Sequence, residues 1–336
     1  MHDIIHWVHA TFGQRVDWMQ VVIIACVPLF ALSLGLEVWW SRRRSGSWQI
    51  GKPGQRFYFR EVLANLGLGG GFYLTEILFH IAFVGAAVAY TWEHRLFTVP
   101  ITGWTLPLIF LVEEFCYYGY HRSAHRVRWF WAQHVGHHTG EVMNMSTAAR
   151  QSALTGLIGV WAFYLPPVLL GVHPGVIYGM LGLNLAYQWF VHTEAVNKFH
   201  PWIEWLINTP SNHRVHHGRN PQYIDRNFGG VLMIYDHLFH SYEAEAEKVV
   251  YGTPRQIRSY NVIVLNLHEF VDMFRDAMAP GPLWQRLKHF WMPPEWERPG
   301  HAPIHTWTVE RKTVARDTTP ERQIEGAGEL AYGAQP

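Results

Sequence analysis

Residues 121–138 read HRSAHRVRWFWAQHVGHH and carry five histidines at helical spacing. His121 and His125 are four residues apart, and His134 is followed three residues later by the pair His137 and His138. Positions three or four apart are neighbours on a helix surface, so each set presents its imidazoles on one side. The spacing therefore predicts two helices that bring these histidines together.

A second HxxHH block, His213-x2-His216-His217, repeats the arrangement, and His192 ends an apolar run where an ionisable side chain is expected to face the interior. Imidazole is a ligand for iron, zinc and copper. A single tetrahedral zinc ion has too few positions for this set, so the pattern predicts a site for two ions with four or five nitrogens each. Any single histidine has the alternative role of a hydrogen-bonded supporting residue. The predicted ligands are His121, His125, His134, His137, His138, His192, His213, His216 and His217.

The composition indicates a membrane protein with a polar, functional interior. Only 16% of the residues are charged, against roughly 25% in soluble domains, while the chain holds 22 histidines and 17 tryptophans. A formal net charge of +1 over 336 residues argues against nucleic acid as a partner. Cys26 and Cys116 lie in separate apolar runs without a CxxC partner, so both are predicted to be free and buried.

The apolar segments predict an all-α, polytopic integral membrane bundle with a histidine-rich helical cap on the cytoplasmic side. Residues 19–40 are long enough to span a bilayer, and the other candidate spans are 72–92, 101–120, 153–170 and 176–191, the last two forming a hairpin. The basic segment after the first span, with Arg42 to Arg44, is expected in the cytoplasm. Counting spans from there puts both histidine blocks on the same side, with about four full spans or a mixture of spans and half-inserted helices.

Four further local patterns in the sequence predict structural details. The glycines at 67 and 69–71 predict a flexible entry into the membrane, and Glu76 and His80 are spaced to face each other within a span. Thr209 before Pro210 predicts the start of the helix that carries the second block. Residues 1–18, with His2, His6 and His9, predict an interfacial helix outside the metal site.

Polar residues near the histidine blocks are candidates for holding the imidazoles in the right tautomer. These are Gln188, Glu114, Asn144, Asp225 and Asn227, with Glu113 and Glu141 as further members. Three arginines, Arg150, Arg214 and Arg219, are candidates for contact with a lipid headgroup or an electron donor. The alternative for all of these residues is a solvated position at the membrane boundary.

The motifs around the histidines resemble those of the fatty acid hydroxylase and sterol desaturase superfamily of membrane diiron oxygenases. The resemblance covers about residues 105–250 and rests on YYGYHRxxH at 117–125, WAxHxxHH at 131–138, NxSTAxRQS at 144–152, QxxxHTE at 188–194, NTPSxHRVHHGRN at 208–220 and YIDxNxGGVL at 223–232. The third and fifth segments most resemble the alkylglycerol monooxygenase branch. Three departures are Gln188 where some members carry histidine, Glu114 where relatives usually carry aspartate, and His237 and His240 within a divergent terminal motif, which are not counted as ligands.

The resemblance implies two iron ions, O2 as co-substrate and hydroxylation of a lipid C–H bond in a fatty acyl, sterol or ether-lipid substrate. Electrons would come from an external donor, either a reductase or a pterin such as tetrahydrobiopterin. A lipid desaturase with the same centre is the nearest alternative, and a transition-metal transporter is an alternative of another class. The corresponding division of the chain is 1–100 for the first membrane helices and basic loop, 101–250 for the catalytic domain, 251–298 for amphipathic helices and 299–336 for a disordered tail.

Overall fold

A computed structural model describes residues 16–45 and 59–306 of the chain. The regular secondary structure of this part consists of helices, joined by turns and loops. Within these ranges no strand forms, and only isolated bridges join Ile207 to Leu232 and Gly218 to Tyr251. The predicted all-α class is therefore confirmed for the described residues. The histidines at positions 2, 6 and 9, residues 46–58 of the basic segment and residues 307–336 of the predicted tail lie outside them.

The α-helices, numbered in chain order over the described residues, are α1 Trp18–Ser45, α2 Phe59–Phe79, α3 Gly85–Glu93, α4 Thr105–Arg126, α5 Arg128–His138, α6 Thr155–Ile158, α7 Leu165–Leu169, α8 Pro174–Val191, α9 Pro201–Leu206, α10 Pro210–His216, α11 Ile234–Leu238, α12 Val262–Met278 and α13 Leu283–Leu287. A π-helical turn, His80–Val84, joins α2 to α3 without a break. Short 3-10 helices span Met145–Ala149, Val160–Tyr164 and Lys288–Phe290.

Two helical segments are long and apolar enough to cross a bilayer by length and composition. They are Trp18–Arg43 within α1 and Phe59–Glu93, which comprises α2, the π turn and α3. These segments include the first two predicted spans. Few of their residues are buried inside the protein: 17% and 22% of the most apolar window of each segment.

Two expectations about the second of these segments are wrong. The glycine cluster lies inside α2, where Gly69 packs so closely on the 145–149 turn that a Cβ would lie 2.9 Å from the Ala149 carbonyl oxygen. Helical hydrogen bonding holds these glycines, and at Gly69 the missing side chain permits close packing. Glu76 and His80 do not pair either, because the His80 Nδ1 lies 3.4 Å from Asp17 Oδ2.

The predicted hairpin arm at 153–170 is not one continuous helix. It is divided into α6, a 3-10 helix and α7 because Gly159 adopts a left-handed φ of +94° and two prolines follow at 166 and 167. Proline removes a backbone donor and is best accommodated in the first turn of a helix, so the two prolines favour a new helix start at α7. The second arm is continuous as α8, so the two arms do not match as a pair of spans.

α1 packs along α8, and this contact positions the first helix beside the histidines. Phe30 stacks on Trp189 with ring centroids 4.6 Å apart, and the Trp189 Nε1 donates to Ser33 Oγ at 2.9 Å. Glu37, the single acidic residue of α1, accepts hydrogen bonds from the Met145 backbone N–H and the Thr193 hydroxyl. A buried carboxylate in an apolar helix thus ties α1 to the segment that follows His192.

α12 covers the outer side of α5. The buried Arg128 guanidinium donates to Glu269 at 2.7 Å and to Asp276 at 2.8 Å, so an ion-pair network holds the two helices together. α12 buries Leu265 and Met273. Cys26 and Cys116 are free, as predicted.

Candidate metal centre

Four helices deliver the nine predicted ligands to one place. α4 carries His121 and His125, and the next helix, α5, carries His134, His137 and His138 after a single extended residue, Val127. His192 follows the last residue of α8. The second HxxHH block lies on and directly after α10, which begins as predicted, with the Thr209 side chain accepting from the Asn212 backbone N–H and proline in the first turn.

The nine histidines form two adjacent groups of nitrogen donors. One group has five members and the other four, and within each group the candidate ligand atoms lie within 4.8 Å of one another. All nine side chains are buried. The first group is His121, His125, His134, His138 and His216, and the second is His137, His192, His213 and His217.

Backbone carbonyls orient four of these imidazoles. His121 Nδ1 lies 2.9 Å from the carbonyl oxygen of Phe228, and His137 Nδ1 lies 3.2 Å from that of Arg150. His192 Nδ1 lies 2.6 Å from the carbonyl oxygen of Gln188, and His216 Nδ1 lies 3.0 Å from that of Arg226. A carbonyl can only accept, so each Nδ1 carries the proton and each Nε2 presents a lone pair. Fixing the tautomer from outside in this way is how metal sites prepare histidine ligands.

The donor set fits two transition-metal ions. Several Nε2 atoms face each other directly, with separations of 3.2 Å for His121–His134, 3.3 Å for His192–His137 and 2.8 Å for His213–His192. Where both Nε2 atoms are acceptors, such a contact is repulsive unless a cation lies between them. The buried Nε2 atoms of His125, His216 and His217 have no hydrogen-bond partner among the described residues. Buried unpaired nitrogens of this kind are costly unless a ligand such as a metal satisfies them.

Burial keeps the imidazoles neutral. It lowers the pKa of seven of the nine histidines well below the ordinary 6.5, and neighbouring imidazoles add to the effect. For His192 burial lowers the pKa to about 4. Neutral imidazole is the ligating form, so at neutral pH these side chains need not lose a proton before they bind a metal. The seven are His121, His134, His137, His138, His213, His216 and His217.

Of the residues expected to support the histidines, Asp225 contacts one directly. Its Oδ1 lies 3.6 Å from His125 Nδ1, and its other oxygen accepts from Arg126 at 2.6 Å. The backbone carbonyl of Gln188 bonds His192, while its side chain accepts from the Tyr117 hydroxyl at 2.8 Å. Sequence position therefore identifies Gln188 as a residue that contacts His192. It does not show that the backbone carbonyl, and not the side chain, makes this contact.

The remaining acidic and amide candidates stabilise nearby loops. Glu114 accepts from the backbone N–H groups of Val231 and Leu232, and Asn144 caps the 145–149 turn. Asn227 bonds the backbone of Asn212 and Glu243 from a left-handed φ of +57°. Glu113 is buried against Asn184. These contacts hold the segments that carry the ligands without touching the imidazoles.

Two of the three arginines are bonded to protein groups. The Arg150 guanidinium is buried and donates to the Gly136 carbonyl, Asn65 and Thr139, so it connects α5 to α2. Arg214 donates to Glu245 and to the carbonyls of residues 193 and 196. Arg219 is half-buried, with its backbone N–H bonded to Val250. The guanidinium groups of Arg150 and Arg214 thus bond protein acceptors, although a lipid headgroup or electron donor was one expectation for them.

A cavity of about 440 Å³ connects the histidines to the membrane-type helices. His121, His134, His137 and His192 line one end of it. Its walls are mainly apolar side chains of α1, α2, α4 and α8. α1 packs on α8 and α2 on the 145–149 turn, whereas these two long helices make at most marginal contact with each other over the described residues. The cavity thus lies between two helices that lipid would surround.

Two kinds of group in this site were not predicted from the sequence. Backbone carbonyls orient four histidines, and no residue type marks such a carbonyl in a sequence. The α1 side chains Ile23, Phe30 and Leu34 line the cavity, although α1 lies about ninety residues before the first block. Glu37 offered a signal for this proximity, because a lone carboxylate in an apolar run is expected to face a polar partner.

Comparison with known proteins agrees with this geometry. Residues 106–241 match the family model described as Fatty acid hydroxylase. The chain is 42% identical over 209 residues to an alkylglycerol monooxygenase from Homo sapiens, which covers 62% of the chain and 46% of that relative. It is 38% identical over 221 residues to the Xenopus tropicalis protein of the same name, with 64% and 49% covered.

An alkylglycerol monooxygenase from Caenorhabditis elegans is 34% identical over 238 residues, covering 64% of the chain and 45% of the relative. The chain spans about half the length of the curated relatives that it matches. No solved structure matches the chain significantly.

Proposed function

We propose that residues 106–241, which match the Fatty acid hydroxylase family model, form the catalytic domain of a membrane-bound diiron monooxygenase that hydroxylates an ether lipid. The observation that carries the proposal is the convergence of nine buried histidines in groups of five and four at the end of an apolar cavity. The target carbon is the one beside the ether oxygen, because the relatives are alkylglycerol monooxygenases.

Each histidine group holds one iron in this proposal. Bound iron supplies the reductive activation of O2, which the side chains of the protein cannot perform. The overall reaction consumes the C–H bond, O2, two electrons and two protons, and gives a C–OH group and water. A hydroxyl on the carbon beside the ether oxygen makes a hemiacetal, which splits into an aldehyde and an alcohol.

The protein positions the lipid, excludes water from it and orients the histidine side chains. The carbonyls behind His121, His137, His192 and His216 keep the Nε2 lone pairs directed into the site, and the apolar cavity excludes water from the lipid chain. Tyr117, whose hydroxyl donates to Gln188 at 2.8 Å, lines the cavity beside His121 and would supply a polar group to a substrate bound there. The electron donor is external, a reductase or tetrahydrobiopterin.

The alternatives have weaker support. A transporter needs ligands distributed along a pore, whereas the nine histidines here are clustered. A desaturase shares the expected centre, but the matched relatives are named as monooxygenases. The hydroxylase reading is therefore the one that both the geometry and the relatives support.

We further propose that the protein crosses the membrane more than once with its histidines on the cytoplasmic side. Two helices of suitable length support the membrane assignment, and the arginines at 42–44, at the end of α1, support the orientation. Glu37 near that same end of α1 bonds Thr193, one residue after a proposed ligand.

The test is a product and metal analysis of the purified full chain. Mass spectrometry of an alkylglycerol incubated with the iron-loaded protein, O2 and a reduced pterin is expected to show a fatty aldehyde and glycerol. Elemental analysis is expected to give two irons per chain. A double bond in the product would identify a desaturase instead, and active protein without iron would overturn the proposal.

A further inference from the structure

The end of the cavity remote from the histidines is polar. The lining follows α1 from Leu34, on the histidine side, to Met19 and then Asp17, a path of roughly 22 Å along fifteen helical residues. Side chains of α2 and α8 complete an apolar tube between the ends. At the remote end the lining includes Asp17, Glu76 and His80. Three ionisable side chains thus close a cavity whose walls are otherwise suited to hydrocarbon.

Glu76 is the member of this group that lies outside the Asp17–His80 pair. His80 Nδ1 lies 3.4 Å from Asp17 Oδ2, and the other Asp17 oxygen accepts from the Gln20 backbone N–H at 3.1 Å. Glu76 Oε1 is buried and has no hydrogen-bond partner among the described residues. Gly156 faces it so closely that a Cβ there would lie 2.7 Å from this oxygen. The Glu76 carboxyl group is therefore held at the cavity end against the backbone of Gly156.

We propose that Glu76, backed by the Asp17–His80 pair, is the stop that sets the longest hydrocarbon chain the cavity accepts. The inference rests on the proposed function, in which the reacting carbon beside the headgroup lies at the histidines and the chain extends along α1. A methyl group pressed against this buried carboxyl group removes its hydration and offers no hydrogen bond in return. Chains that end before Glu76 avoid this cost, and longer chains incur it.

The experiment measures which chain lengths the protein retains. Purified full chain in detergent is incubated with an equimolar series of saturated monoalkylglycerols differing by two carbons, and the lipids that remain bound after washing are quantified by mass spectrometry. In Glu76→Ala the limit is expected to move to longer chains, with a gain of about fourfold for each additional buried methylene. Glu76→Leu, which keeps the size and removes the carboxylate, is expected to increase retention of the chain at the wild-type limit.

Thr75→Val is the matched control. Thr75 precedes Glu76 on the same helix, but its hydroxyl donates to the Gly71 carbonyl at 2.9 Å and its side chain is not part of the cavity lining. This variant should reproduce the wild-type length profile. The proposal is overturned if both Glu76 variants keep that profile, or if they weaken all lengths equally, as they would if Glu76 bound the headgroup.

Parallel turnover assays separate this inference from the proposed function. If the wild-type protein oxidises none of the lipids, the proposed function fails whatever the retention profile shows. If it forms product while the Glu76 variants retain the wild-type length limit, the inference alone fails.

Discussion

At the scale of single residues, the site depends on imidazoles that are held before any metal binds. His137 and His216 are informative because they lie in different groups and each has its Nδ1 on a backbone carbonyl. We expect His137→Ala and His216→Ala each to reduce the iron content toward one ion per chain, and to reduce turnover by at least about 100-fold.

Elemental analysis and lipid turnover measured on the same preparations test this expectation. His237→Gln is the control, since His237 bonds the Trp205 carbonyl and belongs to neither group. That variant should keep two irons. Full iron content in both alanine variants would mean that the two histidine groups do not each bind one iron ion.

The same burial makes stability dependent on pH. The folded-state pKa of His192 is about 4, and that of seven other ligands is also below the unfolded value near 6.5. As the pH falls below about 6.5, the unfolded chain therefore takes up protons that the folded chain does not. The stability contributed by the neutral imidazoles is present above that pH and is lost below it.

Thermal unfolding of the metal-free protein between about pH 7.5 and 5 is expected to show a falling Tm, and loaded iron should leave over the same interval. His94→Gln changes an exposed histidine and should not alter the curve. A Tm that stays constant across this interval would contradict the neutral, buried state of the ligands.

At the scale of elements, the contact between α2 and the 145–149 turn has no room for one additional carbon atom. A Cβ at Gly69 would lie 2.9 Å from the Ala149 oxygen, and the next residue, Arg150, supplies the carbonyl that orients His137. Gly69→Ala is expected to cost about 1–3 kcal/mol through overpacking and to loosen iron binding.

Gly70→Ala provides the comparison on the same helix, because a Cβ there meets nothing within 4 Å. Alanine is the better helix former, so this variant should be at least as stable as the wild type. The two Tm values, measured in the same detergent, test the prediction. Equal stability of both variants would show that the turn moves aside easily.

The elements that carry histidines were predictable because helical spacing is a local property. His121 and His125 imply a helix wherever they lie, and Thr209 with Pro210 marks where the second ligand helix begins. The segment 153–170 was not predictable by hydropathy, since its apolar content does not reveal that Gly159 adopts a left-handed backbone. Roles carried by backbone, such as the carbonyl of Gln188, depend on tertiary placement and leave no mark on residue type.

At the scale of the whole molecule, the orientation in the membrane is open to a direct test. α4 has 22 residues, and the exposed Gly103 precedes its start while its last turns carry ligands. In a background with Cys26→Ser and Cys116→Ser, we expect a membrane-impermeant thiol reagent to label Gly103→Cys from outside intact cells. Ala244→Cys, exposed on the histidine side, should react only after the cells are opened.

Labelling of both positions from outside would contradict the cytoplasmic placement of the histidines. Labelling of neither would mean that α4 does not connect the two faces. As a control, the reagent must label each cysteine variant fully after the protein is dissolved in detergent. This value defines complete reaction.

The hydrogen bonds that Glu37 accepts from Met145 and Thr193 make α1 an integral part of the histidine site. Removing a hydrophobic helix is a common way to obtain a membrane-associated protein in a form that is easier to handle. Removing α1 here would open one wall of the apolar cavity, remove the acceptor beside His192 and expose apolar surface that the helix now covers. We expect the shortened protein to have a damaged site and a new tendency to aggregate.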